Sequence, residues 1–143
     1  MVDRARAKCG RHTNIRFLLA DIQSLDFPDA SFDKVVAANV IHLLDDARQA
    51  VRELDRVCRP GGTIIIPTYI GRKGENRGHR FTTMAGRIGA GFRKTFTNAS
   101  YRRFFVDAGY PDATYILIEG FIPCPIAVIG KKESDEHDAE PAW

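Results

Sequence analysis

Two places in the chain put residues capable of chemistry where an apolar run stops. The first is Asp21, which follows the mostly apolar Asn14–Ala20. An ionised carboxylate only accepts hydrogen bonds, so Asp21 can take a donor from a ligand or satisfy nearby backbone amides. The second is Asn39-Val40-Ile41-His42, after the apolar Val35–Ala38. Asn39 can both donate and accept toward a ligand, or make the local turn common for Asn at a strand end. His42 ordinarily titrates near neutrality and so suits a general base. A lone His beside Ile41, Leu43 and Leu44 reads equally as a packed or capping residue. His12, His79 and His137 lack the Cys or carboxylate spacing of a metal site, and no metal is expected. Cys9, Cys58 and Cys124 are an odd set without metal spacing and read as reduced thiols of a cytoplasmic protein.

The elements that would hold these residues alternate in type. Val2 to Lys8 reads as a helix stopped at Cys9-Gly10, with Gly10 as its cap. Asn14–Ala20 reads as a buried parallel strand, 24–31 as a loop around Pro28, and Asp33–Asn39 as a second short buried strand. From Asp46 to Cys58, the apolar Ala47, Ala50, Val51, Leu54, Val57 and Cys58 recur at helical period, and Asp45 or Asp46 can cap the N-terminus. Cys58 then lies on the apolar face as a structural thiol. Arg59-Pro60-Gly61-Gly62 stops that helix and turns the chain into a strand at 63–69, rich in β-branched residues. A weak helix is expected within 71–91, where Gly86, Gly89 and Gly91 oppose it. A better one is capped by Asn98, faced by Tyr101, Phe104, Phe105 and Ala108, and ended by Gly109. Residues 113–120 and 125–131 read as a final antiparallel pair, and 132–143 as a disordered charged tail. Strands alternating with helices before a terminal hairpin indicate an α/β fold with a mainly parallel sheet over 1–131.

At 143 residues and 44% hydrophobic, the chain can build one domain with a real core. No apolar run approaches a membrane span, and the charged start (Asp3, Arg4, Arg6, Lys8) is not a signal peptide. The net charge of +3 hides a block: residues 72–103 carry nine basic residues against Glu75 alone. Such a block attracts anions, but without interleaved aromatics or basic helical periodicity it reads as a solvated connector and not as a nucleic-acid surface.

The order and wording from Asp21 to Gly62, with Asp26-Phe27-Pro28-Asp29-Ala30-Ser31-Phe32-Asp33, Asn39 to Asp46 and Arg59-Pro60-Gly61-Gly62, resemble the class I S-adenosylmethionine-dependent methyltransferases, especially the small-molecule, quinone-biosynthesis branch. The resemblance implies a Rossmann-like fold and transfer of a sulfonium methyl to a small molecule, for which the basic block suits an anionic one. It implies that Asp21 accepts from the adenine amino group and the Ile22 amide meets a ring nitrogen. Asn39 and Val40 would then lie near the methionine portion of the cofactor. The family's glycine-rich turn and ribose-binding acid have no counterpart in the sequence, so the expectation is an incomplete, N-terminally truncated methyltransferase fold whose activity alone is in question. Its open strand edges would suit a homodimer or a partner-binding module without catalysis.

Overall fold

The computed structural model describes residues 2–70 and 96–133. In chain order the elements are α1 (Val2–Cys9), β1 (Phe32–Val36), a 3-10 turn (Ile41–Leu43), α2 (Ala47–Val57), β2 (Cys58–Pro67), α3 (Asn98–Asp107), β3 (Thr114–Ile118) and β4 (Cys124–Gly130). The weak helix expected within 71–91 and the tail beyond 133 lie outside the described residues.

The four-stranded sheet runs β1-β2-β4-β3. β1 pairs parallel with β2, while β2–β4 and β4–β3 are antiparallel, so the C-terminal hairpin is present as expected. Among the described residues the parallel part is that single pair, because Asn14–Ala20 does not join the sheet. The expectation of a buried strand there is overturned: the segment belongs to no strand, and Leu18 and Leu19 are 57% and 92% exposed. An apolar run becomes a parallel strand only beside a strand with a free edge to bond, and this one pairs with no described strand.

α2 forms because its apolar stripe has somewhere to go. Ala47, Ala50, Val51, Leu54 and Val57 are all buried. An isolated helix of this length is marginal in water, whereas each large apolar side chain fully buried contributes about 1.5–3 kcal/mol. Asp46 caps the N-terminus by accepting from Gln49 N–H at 3.0 Å. At the other end Lys131, just past β4, donates to the Asp55 and Cys58 carbonyls at 2.7 and 2.9 Å, supplying a cation and donors where the helix leaves carbonyls unpaired. Gly10 follows α1 as expected, though without a left-handed φ; a Cβ there would stand 2.5 Å from the Arg6 carbonyl.

α3 is capped one residue earlier than expected. Thr97, not Asn98, is the N-cap, and its hydroxyl exchanges hydrogen bonds with Ser100 in a capping box. Gly109 ends the helix at φ +97°. Tyr101 and Phe105 are fully buried, and they join α2, Ile64, Ile66, Ala127 and Ile129 in one core cluster on one face of the sheet.

The opposite face is less covered. Cross-strand partners share a face, which places Val36, Ile65, Val128 and Thr114 in one row and Pro67, Ile126 and Ile116 in the next. None of them belongs to the core cluster, and Val36, Ile116 and Ile118 are 60%, 51% and 54% exposed. β1 is accordingly shorter than the expected Asp33–Asn39 strand and is half open, with Val35, and Ala37 just past its end, turned inward.

Candidate functional site

The C-terminal ends of β1 and β2 lie side by side, and the polar residues Asn39 and Thr68 follow them. Asn39 N–H bonds the Pro67 carbonyl at 2.9 Å, which extends the β1–β2 contact past the strands. Asn39 itself sits at φ +55°, a left-handed conformation that Asn tolerates better than most residues. Its side-chain oxygen is buried and has no hydrogen-bond partner among the described residues. An acceptor left unpaired inside a protein costs free energy, so this oxygen is suited to a donor that the described residues do not supply.

Val40 is half-buried and packs on the core cluster beside α2. His42 is buried in the 3-10 turn, with Nδ1 2.9 Å from the Thr68 hydroxyl at the end of β2. Burial lowers its pKa, so the imidazole is held neutral. That environment is of a packed residue tying the Asn39 loop to β2. Thr68 was not foreseen; its signal is a hydroxyl residue directly after Ile64-Ile65-Ile66-Pro67, where a parallel strand delivers side chains to a ligand site.

Asp21 opens the loop between 21 and 31. Its Oδ1 accepts from Gln23 N–H at 2.9 Å, and its carbonyl accepts from Ser24 N–H. This is the local turn that sequence reasoning held open beside the ligand role; the carboxylate is exposed. Ile22 is half-buried and packs on the core, as does Leu25. Ile22, Leu25, Phe27, Phe32, Val35, Val36, Leu54 and Val57, with Lys34, line an apolar cleft of about 300 Å³ beside the open edge of β1.

The same loop is fastened to α2 by polar residues that helical periodicity puts off the apolar stripe. Gln49 Nε2 donates to the Gln23 carbonyl at 3.2 Å. Glu53 Oε2 accepts from Leu25 N–H at 2.9 Å. Arg56 donates to the Leu25 and Phe27 carbonyls, both at 2.8 Å, and to Asp29 Oδ1 at 2.7 Å. Glu53 in turn holds Arg56 at 2.9 and 3.1 Å. The Glu53 carboxyl is held below its usual range, first by the Arg56 hydrogen bond and then by the Leu25 amide, and the Arg56 guanidinium is raised by Glu53 and Asp29. Arg59-Pro60-Gly61-Gly62, expected to turn the chain into a strand at 63–69, is instead part of β2, which begins at Cys58 directly after α2 and ends at Pro67. Gly61 has φ +72°, and a Cβ on Gly62 would stand 2.7–2.8 Å from the Arg59 carbonyl, the Cys58 sulfur and the Asp33 carbonyl.

No cluster of potential metal ligands occurs among the described residues, and no described helix is long and apolar enough to cross a membrane. All three cysteines are free thiols.

Residues 1–66 match the family described as methyltransferase domain. An uncharacterised methyltransferase of Mycobacterium bovis is 39% identical over 56 residues, which are 39% of this chain and 28% of that protein. A ubiquinone/menaquinone biosynthesis C-methyltransferase of Hahella chejuensis is 44% identical over 57 residues, 40% of this chain and 23% of that one. The matched stretch thus spans about a quarter of the length of these curated relatives. Among solved structures, the YcgJ protein of Bacillus subtilis superposes on 94% of this chain and 79% of its own at a TM-score of 0.67 and 17% identity.

Proposed function

We propose that this chain, which belongs to the class I S-adenosylmethionine-dependent methyltransferases by its sequence over residues 1–66 and by its Rossmann-like α/β fold, carries the adenine and methionine sides of a cofactor site serving a small-molecule methyl acceptor. The observation that carries the reading is Asn39. Its buried acceptor, without a partner among the described residues, lies just past the carboxyl end of β1, where open α/β sheets bind ligands. The ammonium of a methionine portion is the kind of donor that would complete it.

When bound, the cofactor supplies an electrophilic methyl on a sulfonium. What the residues here do is bind and orient. The outer oxygen of Asp21 accepts from an exocyclic amine while the other stays in its local turn. The Ile22 amide would meet the neighbouring ring nitrogen, while its side chain packs on the core cluster. Asn39 and Val40 hold the methionine end, so that an acceptor approaches in line with the methyl. His42, neutral and tied to Thr68, fixes the Asn39 loop and moves no proton. The glycine-rich turn and ribose-binding acid of such a site have no counterpart that we read in residues 1–131, and we place their source outside them. The free thiols suit a reducing, cytoplasmic setting, and the basic residues between 72 and 103 suit an anionic acceptor.

Calorimetric titration with S-adenosylmethionine tests this. Binding at micromolar concentration that weakens ~10-fold or more in Asn39→Ala, on the scale of a lost hydrogen bond to a charged group, supports the reading. Equal affinity in the variant sinks the assignment of Asn39. A second reading rests on a different observation: the open edge of β1 and the exposed apolar face carrying Val36, Ile116 and Ile118 suit a dimer or a partner-binding module. No heat at millimolar cofactor, together with a dimeric mass in solution, would favour it.

A further inference from the structure

The loop that carries Asp21 and Ile22 has almost no structure of its own. Between 21 and 31 it enters no strand, and the hydrogen bond between Ser24 N–H and the Asp21 carbonyl closes only a local turn. Its backbone shape is written instead by one strip of α2. Gln49, Glu53 and Arg56 follow at helical spacing, so they stand on one side of the helix. Between them they bond the carbonyls of Gln23, Leu25 and Phe27 and the amide of Leu25, while the Arg56 carbonyl accepts from Ala30 N–H at 2.9 Å. This differs from an ordinary surface ion pair, because the Glu53 side chain is only 14% exposed and both partners bond backbone as well as each other. The planar guanidinium matters here. It spans two carbonyls and the carboxylates of Asp29 and Glu53 at once, which a lysine ammonium cannot do in the same geometry.

We infer that Glu53 and Arg56, helped by Gln49, are positioning residues that set the loop conformation presenting the Asp21 carboxylate and the Ile22 amide to an adenine ring. The inference deepens the proposed function and, in its ligand part, rests on it. The strip touches no ligand. It acts through the loop, and it makes α2 the common support of the loop before β1 and of the Asn39 loop after it.

The test uses the full chain and the variants Arg56→Ala, Arg56→Lys and Glu53→Gln. Amide hydrogen exchange is read at Leu25 and Ala30 in the loop and at Ile64 and Ile129 in the sheet, and S-adenosylmethionine affinity is read by calorimetry with and without Asp21→Asn. The expected result for Arg56→Ala is a fall of ~10-fold or more in loop protection with sheet protection kept, since loops open locally below the global stability. Arg56→Lys is expected to restore little of it, and Glu53→Gln to lie between, since the amide keeps an acceptor for Leu25 N–H. Cofactor affinity should fall with Arg56→Ala, and Asp21→Asn should add less in that background than in the wild type. Unchanged loop protection overturns the inference. So does equal loss in loop and sheet, which would make the pair a fastening of the whole fold. If the wild type binds no cofactor the adenine role falls with the proposed function, and the exchange pattern still decides whether the strip sets the loop.

Discussion

Replacing Tyr101 with Phe removes one oxygen from the centre of the molecule, and the structure fixes what that oxygen does. The Tyr101 hydroxyl donates to the Ile66 carbonyl and accepts from Ala127 N–H at 3.1 Å. Ile66 and Ala127 are register partners on β2 and β4, and all three residues are fully buried, so no water can take the hydroxyl's place. Each bond contributes a net 0.5–1.5 kcal/mol, which sets the cost of Tyr101→Phe at about 1–3 kcal/mol. The lower end applies where Ala127 N–H closes directly onto Ile66 across the ladder. Ring packing is kept, because Phe fills the same place against Phe96, Phe105 and Tyr115 at centroid distances of 5.8, 5.1 and 6.2 Å. Urea unfolding followed by circular dichroism should therefore show a lower midpoint at an unchanged slope. Tyr69→Phe, at a half-exposed position, should stay within about 0.5 kcal/mol of the parent. A second signature is optical. Burial raises the Tyr101 pKa, opposed by the Ala127 amide, so its phenol should not ionise with exposed tyrosines near pH ~10 but only as the protein unfolds. A Tyr101→Phe variant as stable as the parent, or a folded protein whose every tyrosine titrates together, would refute the bridge.

Two further outcomes are expected. Gly62→Ala forces a methyl to within 2.7–2.8 Å of two backbone carbonyls and a buried sulfur; neither carbonyl can rotate away, and the loss should be about 1–3 kcal/mol. Gly120→Ala, whose Cβ would have 3.8 Å to its nearest neighbour, should stay within about 0.5 kcal/mol in the same urea assay. His42 predicts the acid limb of stability. Burial lowers its pKa in the fold, so below the unfolded value of ~6.5 the unfolded chain binds more protons. The His42 contribution is complete above that pH and is lost as pH falls toward the folded value. Unfolding midpoints measured between pH 5 and pH 8 should fall on the acid side, and His42→Gln should flatten that limb; an equally steep limb in the variant would assign it to carboxylates.

What could be read from residue order was whatever a local pattern decides. The stripe Ala47, Ala50, Val51, Leu54, Val57 names its own helix and its own buried face, and the structure buries all of it. Tyr101 and Phe105 did the same for α3, and the hairpin declared itself through two apolar runs close in sequence. Errors of one residue came from competing caps: Thr97 and Asn98 both cap well, and Ser100, reachable in a capping box only from Thr97, decides between them. The larger miss was Asn14–Ala20, where apolarity was taken for burial. Its Ile15, Leu18 and Leu19 are as apolar as any core strand, but a strand is made by its neighbour, and a neighbour is a property of the whole sheet. β1 makes the same point in a milder form, since Val36 is 60% exposed although it lies in an apolar run.

The candidate site divides along the same line. Asp21 and Asn39 were legible as polar residues at the ends of apolar runs, whereas the state of each was not. Asn39 has a positive φ, a backbone bond to the Pro67 carbonyl and a buried oxygen without a partner among the described residues, which no spacing encodes. Glu53 and Arg56 were hidden for the opposite reason. On a helical wheel they fall on the side facing away from the core, where charged residues are commonplace, and only the path of a loop nearly thirty residues earlier turns that side into an interface. The polar face of α2 thus fastens the 21–31 loop while its apolar face packs the core. A substitution there that looks conservative by charge, such as Arg56→Lys, acts on the loop and leaves the core alone.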